Sequence, residues 1–201
     1  MKVLDMARTA EIDEILRSGN ILAIPTDTVY GVAASLAAPG ARARLFTLKQ
    51  RPVTVALPVL VASVEDARGL GVTWTDEAAT LADALWPGAL TIIVPAPADV
   101  ARMVGANDTL GVRCPGDSAL RELLAVTGPL AVTSANVHGQ PPCTSVADVE
   151  AAFAGSDDLA GVVDGGERTG VVSTVVDVTT RPFTIRRHGA IDQARLDELL
   201  R

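Results

Sequence analysis

The chain has 201 residues, 48% of them hydrophobic and only 3% aromatic, with a formal net charge of −7. That length fits one large domain or at most two small ones, and the apolar content excludes a disordered chain. The acidic balance, with a pI of about 4.8, disfavours extended RNA or DNA contact, which a basic face ordinarily makes.

The start, MKVLDMARTAEIDE, is charged and lacks the apolar stretch of a signal peptide. No apolar run approaches the roughly 18 residues of a membrane span, so a cytoplasmic protein without membrane contact is expected. Residues 9–18 place Ile12, Ile15 and Leu16 on one helical face, with Gly19 as the stop. The rest of the chain is organised around residues 20–32, NILAIPTDTVYGV. There, 21–24 read as a buried strand, and Pro25 lacks a ladder donor and should end the pairing. Thr26, Asp27, Thr28 and Tyr30 then form a polar loop closed by Gly31. Their hydroxyls suit a small polar ligand, although Asp27 and Thr28 are equally ordinary turn formers.

Residues 39–49 read as a helix that delivers Lys49-Gln50-Arg51-Pro52 at its C-terminal end, and 57–62 as a strand. Thr75 caps a helix to Trp86 that Pro87-Gly88 ends, and 90–96 return as a strand. A strand over 110–114 reaches Arg113, Asp117 caps a helix stopped by Gly128, and a strand over 130–133 ends in Ser134-Ala135-Asn136. Ser145 with Asp148 has the spacing of a capping box. Strands are predicted over 161–164, 173–178 and 183–187, and Asp192 caps the last helix, with Ile191 and Leu196 as its staple. Seven or eight strands interleaved with five or six helices imply one α/β domain over 1–201, with a twisted mixed sheet and flanking helices. Strands that are apolar without alternation imply cover on both faces.

Three strands end abruptly in polar or cationic clusters, at Thr26–Tyr30, Arg113 and Ser134–Asn136, and such ends are expected to converge on one cleft. Lys49 and Arg51 point the same way in an extended segment and would repel without an anion between them. The same pair is also compatible with two solvated cations at a helix end. Ser173 follows the glycine-rich stretch 164–170, and of the adjacent Arg186 and Arg187 one should face the cleft and the other solvent. Cys114 and Cys143 have no partner at metal spacing and read as buried free thiols. The chain has no phosphate-loop, dinucleotide, nucleophile-elbow or zinc-protease motif. Hydroxyls and cations without an evident base suggest phosphoryl or nucleotidyl transfer by positioning and charge neutralisation.

PTDTVYG (25–31), KQRP (49–52), GVRCP (111–115), TSANVHGQPPCT (133–144), STVVDV (173–178) and RRHGA (186–190) together resemble the YrdC/Sua5 family of threonylcarbamoyl-AMP synthases. The resemblance implies a YrdC-like fold with a concave basic cleft. It also implies the short form of the family, without the additional C-terminal domain of Sua5. L-threonine, bicarbonate (or CO2) and ATP would give threonylcarbamoyl-adenylate and pyrophosphate, with Mg2+ carried on the ATP phosphates. A downstream tRNA threonylcarbamoyl transferase complex would then use the adenylate. Lys49 and Arg51 would bind the phosphates and neutralise their charge, while Ser134, Asn136 and Arg187 would contact the nucleotide. Thr28, Arg113 and Ser173, beside Thr26 and Tyr30, would hold threonine, with Arg113 pairing its carboxylate. The chain departs from the family pattern in its apolar 53–57 and at His138 and His188. A non-catalytic RNA-binding relative binding tRNA or double-stranded RNA is the alternative, and the net charge disfavours it. A hydrogenase-maturation domain lacks its accompanying acylphosphatase and zinc-finger segments here.

Overall fold

The computed structural model describes residues 1–38, 40–49, 56–137 and 139–201, so Arg51 and His138 lie outside the described residues. The strands are β1 (Lys2–Asp5), β2 (Ile21–Pro25), β3 (Tyr30–Ser35), β4 (Val59–Leu60), β5 (Leu90–Pro95), β6 (Thr109–Arg113), β7 (Leu130–Ser134), β8 (Leu159–Asp164), β9 (Thr174–Asp177) and β10 (Thr184–Arg187). The helices are α1 (Thr9–Arg17), α2 (Ala41–Lys49), α3 (Val64–Gly69), α4 (Asp76–Leu85), α5 (Ala98–Met103), α6 (Ser118–Thr127), α7 (Val146–Ala152) and α8 (Gln193–Leu199). All ten strands join one mixed sheet in the order β1-β8-β2-β3-β7-β4-β6-β5-β9-β10. No described helix is long and apolar enough to cross a membrane.

Local chemistry accounts for most helix boundaries. Thr75, Asp117 and Asp192 each accept a hydrogen bond from the backbone N–H three residues on, at 3.2, 2.9 and 2.8 Å. Ser145 and Asp148 close the predicted capping box. The β2 side chains alternate between two cores: Ile21 and Ala23 pack with α2, and Leu22 and Ile24 pack with α1 and α6. This half of the sheet is covered on both faces, as its unbroken apolar runs require.

The sequence reading is corrected in three places. Pairing does not stop at Pro25, which sits opposite Tyr30 in an antiparallel hairpin. The polar stretch is therefore the tip of that hairpin, and β3 follows at once. Gly31 is a strand residue there, because any Cβ would meet Val132 and the Thr133 carbonyl. The predicted tally was also low, because β1, β3, α3 and α5 are short or lack a clear period.

Candidate active site

The second half of the sheet alternates, and its uncovered face makes the site. Leu90, Ile92 and Val94 of β5 and Leu110 and Val112 of β6 enter the core. Thr91, Ile93, Gly111 and Arg113, on the opposite parity, line a cavity of about 340 Å³. That is within the range of small-molecule sites. The groups thus meet on a sheet face rather than beyond strand ends, because α1 and α6 cover only the neighbouring half.

The hairpin tip supplies one wall. Thr26 Oγ1 donates to the Val29 carbonyl at 2.7 Å and accepts from the Thr28 and Val29 N–H groups at 3.1 and 3.3 Å, and it lies 2.9 Å from the Thr28 hydroxyl. Thr28 Oγ1 accepts from Arg113 Nη1 at 3.3 Å. Arg113 is fixed by two more bonds, Nε to the Gly88 carbonyl at 2.9 Å and Nη2 to Asp27 Oδ1 at 2.6 Å. Burial pulls its pKa down and the Asp27 carboxylate opposes that. Gly116 makes room for Asp27, since a Cβ there would come within 2.9 Å of Oδ2. Tyr30 is fully buried, and its hydroxyl donates to the Gly166 carbonyl and accepts from Gly165 N–H, pinning the glycine-rich segment.

Across the cavity, Arg187 donates to the Ser173 carbonyl at 3.0 Å and to Ser173 Oγ at 2.8 Å. Arg186 lines the cavity as well, contrary to the simple alternation expected of a strand. The register of β10 on β9 slips between Ile185 and Arg187, and such an irregularity breaks the parity of adjacent side chains. Arg186 is anchored by Asp177 at 2.7 and 3.0 Å. Burial by itself would push the Asp177 carboxyl up, but bonds from Thr179 and Arg186 outweigh it and hold the carboxyl below its ordinary value. A depressed folded pKa contributes stability above the unfolded value of about 3.9 and loses it as pH falls through the folded one. Asp177→Asn is therefore expected to be less stable than wild type at pH 7, with the gap closing below about pH 4. Urea melts at the two pH values check this.

Lys49 is 2% exposed and bonds to Ser134, which lines the cavity. Its ammonium donates to the Ser134 carbonyl, to Asn136 Oδ1 at 3.0 Å, to Ser134 Oγ at 3.3 Å and to Thr133 Oγ1 at 3.4 Å. Asn136 Nδ2 braces the loop through the Val137 and Gln140 carbonyls at 3.0 and 2.7 Å. Backbone bonds tie the same loop to Tyr30: Ala135 N–H to the Tyr30 carbonyl and Tyr30 N–H to the Cys143 carbonyl. Cys143 is a buried free thiol, its pKa pushed up to about 11, chiefly by burial. Cys114 is likewise buried and free.

Thr26, Thr28, Arg113, Ser134, Ser173 and Arg187 line the one cavity, with Lys49 and Asn136 joined to Ser134 at its edge. Arg42 and Arg44 do not line it; Arg42 lies over the Phe46 ring and Arg44 donates to Asn20. Sequence reasoning missed Thr91, and weighed Asp27 only as a turn residue. A lone polar residue on the odd parity of an apolar strand was the available signal for Thr91. Among the described residues no group of three His, Cys, Asp or Glu side chains converges on a metal-sized site.

Residues 14–189 match the Sua5/YciO/YrdC family model, described as telomere recombination. The threonylcarbamoyl-AMP synthase of Pyrococcus abyssi is 36% identical over 188 residues, covering 92% of this chain and 55% of that protein. The putative threonylcarbamoyl-AMP synthase of Mycobacterium leprae is 39% identical over 188 residues, covering 92% and 84% respectively. The solved structure of P. abyssi Sua5 complexed with L-threonine matches the whole chain at a TM-score of 0.92 and 32% identity, and 61% of that protein is covered. The chain therefore spans little more than half the length of the Pyrococcus protein.

Proposed function

The chain belongs to the Sua5/YciO/YrdC family, and from that premise we propose that it makes threonylcarbamoyl-adenylate and pyrophosphate from L-threonine, bicarbonate and ATP. The observation that carries the reading is one hollow with two chemically distinct ends. Ser134, bonded to the buried Lys49, lines one, and Arg113, Thr28 and Ser173 line the other. A cation in a buried oxygen cluster suits polyphosphate, and a guanidinium beside small hydroxyls suits an amino acid.

In this reading the threonine amine joins the carbon of bicarbonate with loss of water, and a carbamate oxygen of the resulting N-carboxy-threonine attacks the α-phosphorus of ATP. The new O–P bond forms as the bond to the bridging oxygen breaks, and pyrophosphate departs with the electron pair. The carbamate is already anionic, so no protein base is required. Lys49 neutralises charge on the phosphates as they separate, Arg51 is assigned the same role by the family resemblance, and Arg187, held on Ser173, is assigned to the phosphate beside the threonine. Arg113 pairs the threonine carboxylate, with Thr28 and Ser173 beside it and Thr26 and Tyr30 bracing that wall. The described residues present no cluster for a protein-bound metal. Mg2+ carried on the ATP phosphates, as the family resemblance implies, would supply further charge neutralisation. The adenylate would pass to a separate transferase acting on tRNA in the cytoplasm.

The test is pyrophosphate release by the purified chain with ATP and bicarbonate, with and without L-threonine. Release that depends on threonine is the expected result. Threonine-independent release would overturn threonine as the substrate, and no release beside salt-dependent RNA binding would transfer support to the RNA-binding reading.

A further inference from the structure

We infer that Thr91 is a positioning residue for the amino-acid substrate: its hydroxyl sets the Ser173 hydroxyl so that the pair offers one hydrogen-bond donor to the cavity. The inference rests on the proposed function and adds a residue to its threonine end.

Thr91 is 2% exposed and lines the cavity, whereas its neighbours Leu90 and Ile92 point into the core. Its Oγ1 lies 3.1 Å from Ser173 Oγ. Arg187 Nη2 contacts the same serine oxygen at 2.8 Å, and a guanidinium can only donate, so Ser173 accepts there. The two hydroxyls carry two protons between them, and their mutual bond uses one. If Thr91 donates, Arg187 and Thr91 fill both acceptor positions of Ser173, and the serine proton is left for the cavity. If Ser173 donates, the spare proton is on Thr91. Either way the pair keeps one unspent donor, on the face where a ligand would sit.

The opposite wall carries the Thr28 hydroxyl, which accepts from Arg113. A substrate carboxylate oxygen finds a donor at the Thr91–Ser173 pair, with the Thr28 hydroxyl across the cavity from it. The Thr91 methyl lies against Gly111, where any Cβ would come within 3.3 Å of it. That contact keeps the methyl on the Gly111 side and the hydroxyl toward Ser173. Valine has nearly the same shape and is the better strand former, so the fold by itself does not call for a hydroxyl here.

The test is calorimetric titration of L-threonine, and separately of ATP, into wild type, Thr91→Val, Thr91→Ser and Thr91→Ala. In the valine and alanine variants Ser173 keeps its own proton but loses the bond that aims it, and misdirecting that donor is expected to weaken threonine about five- to tenfold. The serine variant should stay within about twofold of wild type, and ATP affinity should hold in all four. Threonine affinity unchanged in Thr91→Val overturns the inference, as do equal losses in the serine and valine variants or a parallel loss of ATP affinity. If Thr91→Val has no melting transition, the serine and alanine variants decide, because they differ only in the hydroxyl. A wild-type chain that binds no threonine would instead overturn the functional reading, and this inference with it.

Discussion

Replacing Lys49 by alanine is expected to lower threonine-dependent pyrophosphate release by about 10²- to 10³-fold, the usual effect of removing a preorganised charge-stabilising donor. The fold should survive the change. Asn136 Oδ1 would still accept from Ser134 Oγ at 2.6 Å, and the amide nitrogen would keep its two carbonyl partners. A buried ammonium also carries a desolvation cost that alanine removes. Melting temperature should therefore move little while turnover collapses. Lys49→Arg should not restore the rate, because a planar fork cannot reproduce a compact ammonium among three side-chain oxygens and a carbonyl. An undiminished rate in Lys49→Ala would remove the phosphate end of the proposed site.

The second large effect is expected at the Arg113–Asp27 pair, and its two halves should behave differently. Arg113→Ala should raise the threonine requirement about a hundredfold and the ATP requirement much less, since truncating a buried charged contact costs about 2–5 kcal/mol. Equal effects on both substrates would refute the assignment of the carboxylate to Arg113. Asp27→Ala should be the more damaging for stability. The Arg113 side chain is only 6% exposed, and removing its partner leaves a guanidinium with no counter-charge, a loss of about 3–5 kcal/mol. Asp27 is 18% exposed, so without Arg113 its carboxylate can hydrate. Chemical denaturation of the two variants checks the order: Asp27→Ala should unfold at the lower denaturant concentration.

The parts of this protein that follow from short-range rules were visible in the chain alone. Thr75, Asp117, Ser145 and Asp192 cap helices because each reaches an N–H three residues ahead. The apolar run 21–24 is a buried strand, and the α/β class follows from the alternation of such runs with amphipathic stretches. The clusters at Thr26–Tyr30, Arg113 and Ser134–Asn136 stood out as polar groups at the ends of apolar strands, Lys49 as a cation at a helix end and Ser173 as the residue after a glycine-rich stretch. Their meeting around one cavity depends on the sheet order, in which β3, β7, β4, β6, β5 and β9 are neighbours although distant in the chain. Tyr30–Ser35 could not be recognised as a strand locally, since its glycine reads as a breaker until Val132 and Thr133 are seen pressing against it. Asp27 becomes the partner of Arg113, 86 residues away, and Thr91 the partner of Ser173, 82 residues away. A hydrogen bond between such distant segments leaves no periodicity or spacing in the chain, so only the folded packing decides which donor meets which acceptor.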